Sequence, residues 1–226
     1  RALTRRAQER RGGVTWVEGA LSDRPSLDRL IEGAETVIHI AGLTNAPDPA
    51  EFHDANVIGT RNLLRACQDA GVRRFVFVSS LSARKPELSR YGASKAEAEK
   101  WVGASGLDWT IVRPPAVYGP RDSDMLELFR AARFGVVPVP PRGRTSIIHV
   151  DDLAECLLAL GARNGSGEIV EPDDGHANGY EHAELAKLIG RAMGKRVFAP
   201  HLPAPLLRLA AKADRASAPS ASRRCH

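Results

Sequence analysis

Short runs of apolar residues alternate with helical stripes along the first half of the chain. The segments Thr36–Ala41 (TVIHIA) and Arg74–Ser80 (RFVFVSS) are apolar at most positions, so both are predicted to be strands buried on two faces. Between them, residues 50–70 place apolar side chains on one face with a period of 3.6, which predicts a helix that ends at Gly71. This alternation indicates right-handed crossovers and a parallel sheet with helices on both faces.

The other segments before Tyr118 fit the same alternation. Strands are predicted at Thr15–Val17 and Trp109–Val112, and helices at Ser26–Gly33 and Tyr91–Ala104. Ser26 is the expected N-cap of the first of these helices. We therefore expect an α/β fold with a doubly wound parallel sheet.

The pattern changes after Tyr118. The stretch Phe134–Arg144 (FGVVPVPPRGR) is rich in proline and glycine, which predicts a loop or lid. The later predicted elements are a strand at Ser146–Val150, a helix capped by Asp151 or Asp152 that runs through Leu160, a strand at Gly167–Val170, a helix at His182–Met193 and a disordered end at residues 213–226.

Two domains are expected from this change of pattern. Residues 1–120 would form the α/β domain, and residues 121–226 a small substrate-binding or lid region. Within the second range, residues 145–160 are expected to return to the first domain.

The composition is that of a soluble globular protein, with 43% hydrophobic and 26% charged residues. The net charge of +5 comes largely from arginines at the two ends, without a nucleic-acid-binding motif, so no nucleic-acid partner is predicted. The three cysteines and seven histidines show no metal-ligand spacing, so no metal is predicted. Since the sequence has no long apolar run, we expect a cytoplasmic protein without a membrane partner.

Tyr91 and Lys95 are the main candidates for chemistry. Their spacing of four places both on one face of the predicted helix, where an ammonium can lower the pKa of a phenol and make it a usable acid or base. The helix follows the strand that ends at Ser79 and Ser80, and open parallel sheets bind ligands at that edge. An exposed tyrosine–lysine pair is the alternative interpretation.

Six motifs in order resemble the extended short-chain dehydrogenase/reductase family, which includes sugar-nucleotide epimerases, dehydratases and related reductases. They are HIAG (39–42), NVIGT (56–60), FVSS (77–80), YGASK (91–95), RPPAVYGP (113–120) and IIHVDDLA (147–154). The resemblance implies a Rossmann-like fold and a nicotinamide dinucleotide cofactor. It also implies that Tyr91 is the catalytic acid/base, that Lys95 holds the nicotinamide ribose and that Ser80, or alternatively Ser79, binds the reacting oxygen.

The family resemblance also implies a set of cofactor-binding positions. They are Arg5, Arg6, Ala41, Gly42, Asn56, Ser79, Lys95, Pro114 and Val117. A buried amide at Asn56, a tight turn at Ala41 and Gly42, and ordinary loop packing at Pro114 and Val117 are the alternatives. Arg5 and Arg6 would lie beside the adenine ribose and favour NADP over NAD, although solvated arginines explain them almost as well.

The sequence departs from the family pattern in three places. It lacks the glycine-rich phosphate loop, so we expect that the first βαβ segment is missing and that the sheet has a gap. We also expect poor dinucleotide binding. Ala20 stands where an acidic residue near the adenine is usual, although Asp23 lies close by. Only eleven positions separate Ser80 from Tyr91, which favours a substrate other than a nucleotide sugar.

Two functional hypotheses follow. The first is an enzyme that transfers hydride between nicotinamide and a carbon bearing a hydroxyl or carbonyl, in a reduction, an epimerisation or a dehydration. The second is a non-catalytic NADP sensor or assembly protein of the same fold. The intact Ser80, Tyr91 and Lys95 set favours the enzyme. Its partner would be a small molecule. The loop arginines suit a diphosphate, whereas the apolar stretch 134–141 suits a lipid. Formation of a homodimer is left open.

Overall fold

The computed structural model of the chain describes residues 1–122, 124–165 and 167–203. Its strands are β1 (Ala2–Thr4), β2 (Trp16–Glu18), β3 (Thr36–His39), β4 (Arg74–Val78), β5 (Asp108–Val112), β6 (Ala116–Tyr118), β7 (Arg144–Thr145), β8 (Ile147–His149), β9 (Glu168–Val170) and β10 (Tyr180–Glu181). Its α-helices are α1 (Arg24–Ile31), α2 (Pro49–Phe52), α3 (Gly59–Ala70), α4 (Arg90–Gly103), α5 (Asp124–Arg133), α6 (Val150–Ala162) and α7 (His182–Ala192). A π-helix covers His53–Ile58, and 3₁₀ turns cover Leu81–Arg84 and Pro86–Leu88.

The chain divides into two compact units. The first contains Arg1–Val117 and Ile148–Asp174, and the second contains Tyr118–Ile147 and Gly175–His226. All of the residues proposed for catalysis belong to the first unit. None of the described helices has the length and apolar character needed to cross a membrane.

The first unit is organised around a parallel sheet with the strand order β3-β4-β5-β9. In β4, Phe75 and Phe77 face the core shared with α1, α3 and α4, whereas Val76 and Val78 face the core shared with α6. Side chains of a strand alternate between its two faces, so a strand covered on both sides is apolar throughout. The predicted α/β fold and doubly wound parallel sheet are confirmed.

β1 and β2 form a separate parallel pair. A cleft of about 590 Å³ is lined by residues from both β1 and β3, including Leu3 and Val37. At the end of β3, Ile40 also lines the cleft and is 61% exposed. The predicted gap between the flanking strands is therefore present, and the exposed Ile40 lies in it directly after β3.

Two predicted helix caps are wrong. Helix α1 begins at Arg24 after Asp23, because Pro25 suits the first turn, and Ser26 lies buried inside the helix with its hydroxyl donating to the Asp23 carbonyl. Helix α6 begins at Val150, one residue before the predicted caps. Its N-cap is His149, whose Nδ1 accepts from the Asp151 backbone N–H at 3.3 Å.

The long helix predicted over residues 50–70 is interrupted. Asp48 and Glu51 form a capping box at the start of α2, and the π-helix then separates α2 from α3. The π turn widens the backbone locally, so the single 3.6-residue period predicted for this segment is wrong over His53–Ile58. The other predicted elements occur within two residues of their expected bounds. The end predicted to be disordered, residues 213–226, lies outside the described residues.

The proline-rich stretch 134–144 belongs to the second unit and is irregular for most of its length, as predicted. However, Val137 and Val139 are buried in the core of that unit, and their N–H groups donate to the carbonyls of Phe198 and Pro200. This contact anchors the stretch against a later segment of the chain. Helix α5, directly before it, was not predicted.

Replacing Gly71 with alanine is expected to lower the free energy of unfolding by about 1 kcal/mol, because Gly71 ends α3 with φ +72° and only glycine adopts that conformation without strain. No atom lies within 4 Å of the added Cβ, so backbone strain would be the whole effect. Urea denaturation measures the change. Gly103→Ala is the matched control, since that glycine is helical, and it should leave stability unchanged or raise it. Equal stability of the two variants would contradict the argument.

Candidate active site

The three predicted catalytic residues lie together at the carboxyl end of β4. Lys95, on α4, is 4% exposed, and its Nζ donates to the Val78 carbonyl at 2.9 Å. Tyr91 is half-buried one helical turn earlier, and Ser80 is the second residue after β4. The sheet edge predicted to bind a ligand therefore carries a phenol, an ammonium and a hydroxyl.

The Tyr91 phenol has a raised pKa. Burial is the larger cause, and a hydrogen bond with the Ser80 side chain acts in the opposite direction. The sequence led us to expect a pKa lowered by Lys95. In the structure, burial of the phenol outweighs the effect of the Ser80 hydrogen bond, and Tyr91 is a protonated donor at neutral pH.

The Lys95 ammonium has a lowered pKa of about 8. Burial is the main cause, and the negative charge of Glu99 partly opposes it. The Nζ also lies 4.9 Å from the centre of the Phe77 ring, a cation–π contact. At neutral pH Lys95 is mostly charged, and donors beyond the one used on Val78 are left for a ligand.

Asn56 lies in the π-helix and is buried. Its side-chain oxygen accepts from the Leu43 N–H at 2.7 Å, and its amide nitrogen donates to the Leu43 carbonyl and the Ser94 hydroxyl, each at 2.9 Å. The amide therefore joins the loop after β3 to α4. Asn56 is therefore a buried amide whose oxygen and nitrogen are both hydrogen-bonded, which was the alternative interpretation of this residue from the sequence. It lies beside α4, the helix that carries Tyr91 and Lys95.

Gly42, in the loop after β3, lies beside Asn56 and Lys95. A Cβ at position 42 would lie 2.7 Å from the Asn56 Oδ1 and 3.4 Å from the Lys95 Nζ. Any side chain here would fill the space beside the ammonium. The ammonium, with donors to spare, and the nearby phenol are the groups that could contact the ribose and nicotinamide of a dinucleotide.

Ser79 contacts a residue that the sequence analysis did not identify. Its hydroxyl donates to the Glu99 Oε1 at 2.5 Å, and Arg113 donates to both oxygens of the same carboxylate. Glu99 lies four residues after Lys95 on α4, so a search for polar residues continuing the Tyr91–Lys95 face could have found it.

The remaining predicted cofactor positions are less closely grouped. Pro114 is buried, with its carbonyl accepting from the Leu81 N–H, and Val117 is partly buried and packs against the core on the α6 face. Ala41 is exposed after β3. Arg5 and Arg6 are exposed directly after β1. Their roles in cofactor binding stay predictions.

A parallel α/β sheet with these polar groups at its carboxyl edge defines a dinucleotide-binding domain. A family model described as NAD(P)H-binding matches residues 1–160. The chain belongs to this NAD(P)H-binding family, within the extended short-chain dehydrogenase/reductases of the epimerase/dehydratase type.

Two curated relatives are reductases by name. The chain is 42% identical to a ceramide reductase from Caulobacter vibrioides, over 85% of this chain and 61% of the relative. It is 32% identical to a 4-hydroxy-2-methyl-3-oxo-4-farnesyl-3,4-dihydroquinoline-1-oxide ketoreductase from Stigmatella aurantiaca, over 72% of this chain and 56% of the relative. The chain thus spans about three fifths of the length of these two relatives.

Solved structures give the same fold. MoeE5 in complex with UDP-glucuronic acid and NAD matches with a TM-score of 0.74 and 26% identity, covering 89% of this chain and 76% of that chain. A UDP-N-acetylglucosamine 4-epimerase from Bacillus cereus matches with a TM-score of 0.73 and 21% identity, covering 88% of this chain and 75% of that chain, which supports the fold alone.

Proposed function

We propose that this chain is the catalytic part of an NAD(P)-dependent reductase that converts the ketone of a long-chain apolar substrate into an alcohol. The observation that carries the proposal is the grouping of Ser80, Tyr91 and Lys95 at the carboxyl end of β4. A phenol held in its protonated form suits the donation of a proton to a carbonyl oxygen.

The side chains divide the reaction between them. The hydride for the carbonyl carbon would come from a bound reduced nicotinamide. The Tyr91 phenol donates its proton to the carbonyl oxygen, and the Ser80 hydroxyl orients that oxygen by a hydrogen bond. The Lys95 ammonium would hold the ribose, and it stabilises the phenolate that forms until a solvent proton restores Tyr91.

The segment between Ser80 and Tyr91 supports an apolar substrate. It surrounds an open pocket of about 610 Å³ lined by Leu81, Ser82, Arg84, Lys85, Leu88 and Ser89. The Leu88 side chain is 74% exposed, and an exposed leucine in the lining of this pocket is suited to contact with a hydrocarbon chain. The names of the two reductase relatives, one for ceramide and one for a farnesylated ketone, agree with this class.

NADP is the proposed cofactor in preference to NAD. Arg5 and Arg6 follow β1, and a guanidinium group can bind a 2′-phosphate with two parallel hydrogen bonds. Comparing the dissociation constants of NADPH and NADH, in the original chain and in Arg6→Ala, tests this preference.

The substrate class is tested by measuring NADPH oxidation by the full chain with a 3-keto ceramide, a short-chain ketone or UDP-glucose, and NADPH is supplied in excess because weak dinucleotide binding is expected. We expect turnover with the keto ceramide, and Leu88→Asp should raise its KM about tenfold through lost apolar contact. Leu158→Asp is the matched control, because Leu158 is 66% exposed on α6, away from the pocket.

Two outcomes would reject the proposal. Turnover of UDP-glucose but not of the keto ceramide would assign the chain to sugar-nucleotide chemistry. Binding of NADPH without turnover of any of the three compounds would favour the sensor or assembly protein of the same fold.

A further inference from the structure

Helix α4 carries a third polar residue on the Tyr91–Lys95 face. Glu99 lies one turn beyond Lys95 and is 8% exposed. Its Oε1 accepts from the Ser79 hydroxyl at 2.5 Å and the Arg113 Nε at 2.9 Å, and its Oε2 accepts from the Arg113 Nη2 at 2.6 Å. Two-point binding by a guanidinium fixes the orientation of the carboxylate as well as its position.

A series of ion pairs connects this carboxylate to further charged side chains. Arg113 also contacts Glu171 at 3.3 Å, and Glu171 contacts Arg84 at 3.4 Å. Arg84 lies in the 3₁₀ turn that lines the proposed substrate pocket. A buried charge is tolerated when it is paired and hydrogen-bonded, and Glu99 meets both conditions.

Helix α4 forms hydrogen bonds with two consecutive residues at the end of β4. Lys95 donates to the Val78 carbonyl, and Glu99 accepts from the Ser79 hydroxyl. The next residue along the chain is Ser80, which contacts the Tyr91 phenol. The position of the Ser80 hydroxyl relative to the phenol therefore depends on both of these hydrogen bonds.

We propose that Glu99, held by Arg113, is a positioning residue that fixes the exit of β4 and the Lys95 ammonium in the arrangement the reaction needs. It acts through Ser79 and Lys95 and does not touch the reacting atoms. The proposal rests on the reductase function proposed above.

The charge of Glu99 supports the same role. It favours the ammonium form of Lys95, whereas burial favours the neutral form. Other titratable or charged groups around Lys95 and Glu99 come from several elements: His39 at the end of β3, Tyr91 on α4, Arg84 in the 3₁₀ turn, Arg113 after β5 and Glu171 after β9. His39 is buried with a pKa lowered to about 3, so it adds no charge at neutral pH.

The test compares Glu99→Gln with Glu99→Asp, which keeps the charge, and with Glu97→Gln. Glu97 lies on the same helix, but its side chain is 48% exposed and faces His53. Two quantities are measured in the full chain: kcat and KM for the keto ceramide, and the pKa of Lys95 from an NMR titration of lysine labelled with ¹³C at Cε. The titration needs no turnover, so it decides the inference even if the proposed reduction is not observed.

We expect Glu99→Gln to lower kcat about tenfold or more with little change in KM, as small displacements of catalytic groups do. The pKa of Lys95 should fall below its original value and return in Glu99→Asp. If Glu99→Gln matches the Glu97→Gln control in kcat and in the pKa of Lys95, the proposal is overturned.

A second variant covers the case in which Glu99→Gln does not fold. Ser79→Ala removes one hydroxyl and leaves the Glu99–Arg113 ion pair in place. It should lower kcat several-fold, in keeping with loss of one hydrogen bond to a charged group, and leave the pKa of Lys95 unchanged. An unchanged kcat in Ser79→Ala would overturn the positioning role.

Discussion

Replacing Tyr91 with phenylalanine is expected to lower kcat for ketone reduction by about 10²–10⁴-fold, the usual contribution of a positioned general acid. The change removes the proton donor and keeps the ring, whose centre lies 6.3 Å from that of Phe52. The dissociation constant of NADPH should change little, because the phenol acts on the substrate oxygen. Steady-state kinetics and a fluorescence titration of NADPH measure the two quantities.

Tyr180→Phe is the matched control for this variant, since Tyr180 lies in β10 of the second unit and the chain has only three tyrosines. Its kcat should equal that of the original protein. Turnover by Tyr91→Phe at the rate of this control would show that another group supplies the proton, and the proposed mechanism would be wrong.

The sheet could be predicted from the sequence because its signal is local. Each strand of the four-stranded sheet is short, and the apolar residues of β3 and β4 (Val37 and Ile38 in β3, four of five residues in β4) point to both faces because helices cover both faces. Tyr91 and Lys95 were predicted as a pair for the same reason: a spacing of four on one helix determines which side chains meet. Such features need no knowledge of the rest of the fold.

The group around Glu99 could not be predicted in this way. Its contacts join α4 to residues that follow β4, β5 and β9, and Glu171 is 58 positions from Arg113. In the sequence, Glu99 is one of several charged residues on a helix. Only the assembled sheet brings the strand ends together and makes its carboxylate the partner of a buried serine.

The pKa of Tyr91 was predicted in the wrong direction for a related reason. The sequence identifies the nearby ammonium but does not reveal how deeply the phenol is buried. Burial disfavours the phenolate more than the surrounding groups favour it, so the pKa rises. The raised value extends the pH range over which Tyr91 can donate a proton, and donation is lost only as the pH rises through that pKa.

The cap of α6 and the π-helix illustrate a smaller limit. Histidine is uncommon as an N-cap, so the acidic residues after His149 were the stronger candidates by composition. The π-helix requires one extra residue per turn, and apolar residues at approximate helical spacing do not distinguish it from an α-helix.

Replacing Lys95 with methionine is expected to lower kcat about a hundredfold or more and to stabilise the fold at neutral pH. Activity falls because the ammonium no longer stabilises the phenolate of Tyr91. Stability rises because burial lowers the pKa of Lys95 from 10.5 to about 8, so keeping the group charged at pH 7 opposes folding. The variant leaves the Val78 carbonyl without its donor, which offsets part of the gain. The net increase should be about 1–2 kcal/mol, measured by urea denaturation at pH 7.

The pH dependence separates this effect from better packing of methionine. Between pH 8 and 10.5 the unfolded chain binds a proton at Lys95 that the folded chain has lost, so Lys95 makes stability rise with pH across this window. The advantage of Lys95→Met over the original protein should therefore be largest below pH 8 and shrink as the pH approaches 10.5. Lys100→Met, at the end of the same helix, lacks a buried charge and should show no such trend. A stability advantage of Lys95→Met that stays constant with pH would mean that folding does not lower the pKa of Lys95, and the argument that burial of the ammonium opposes folding would be wrong.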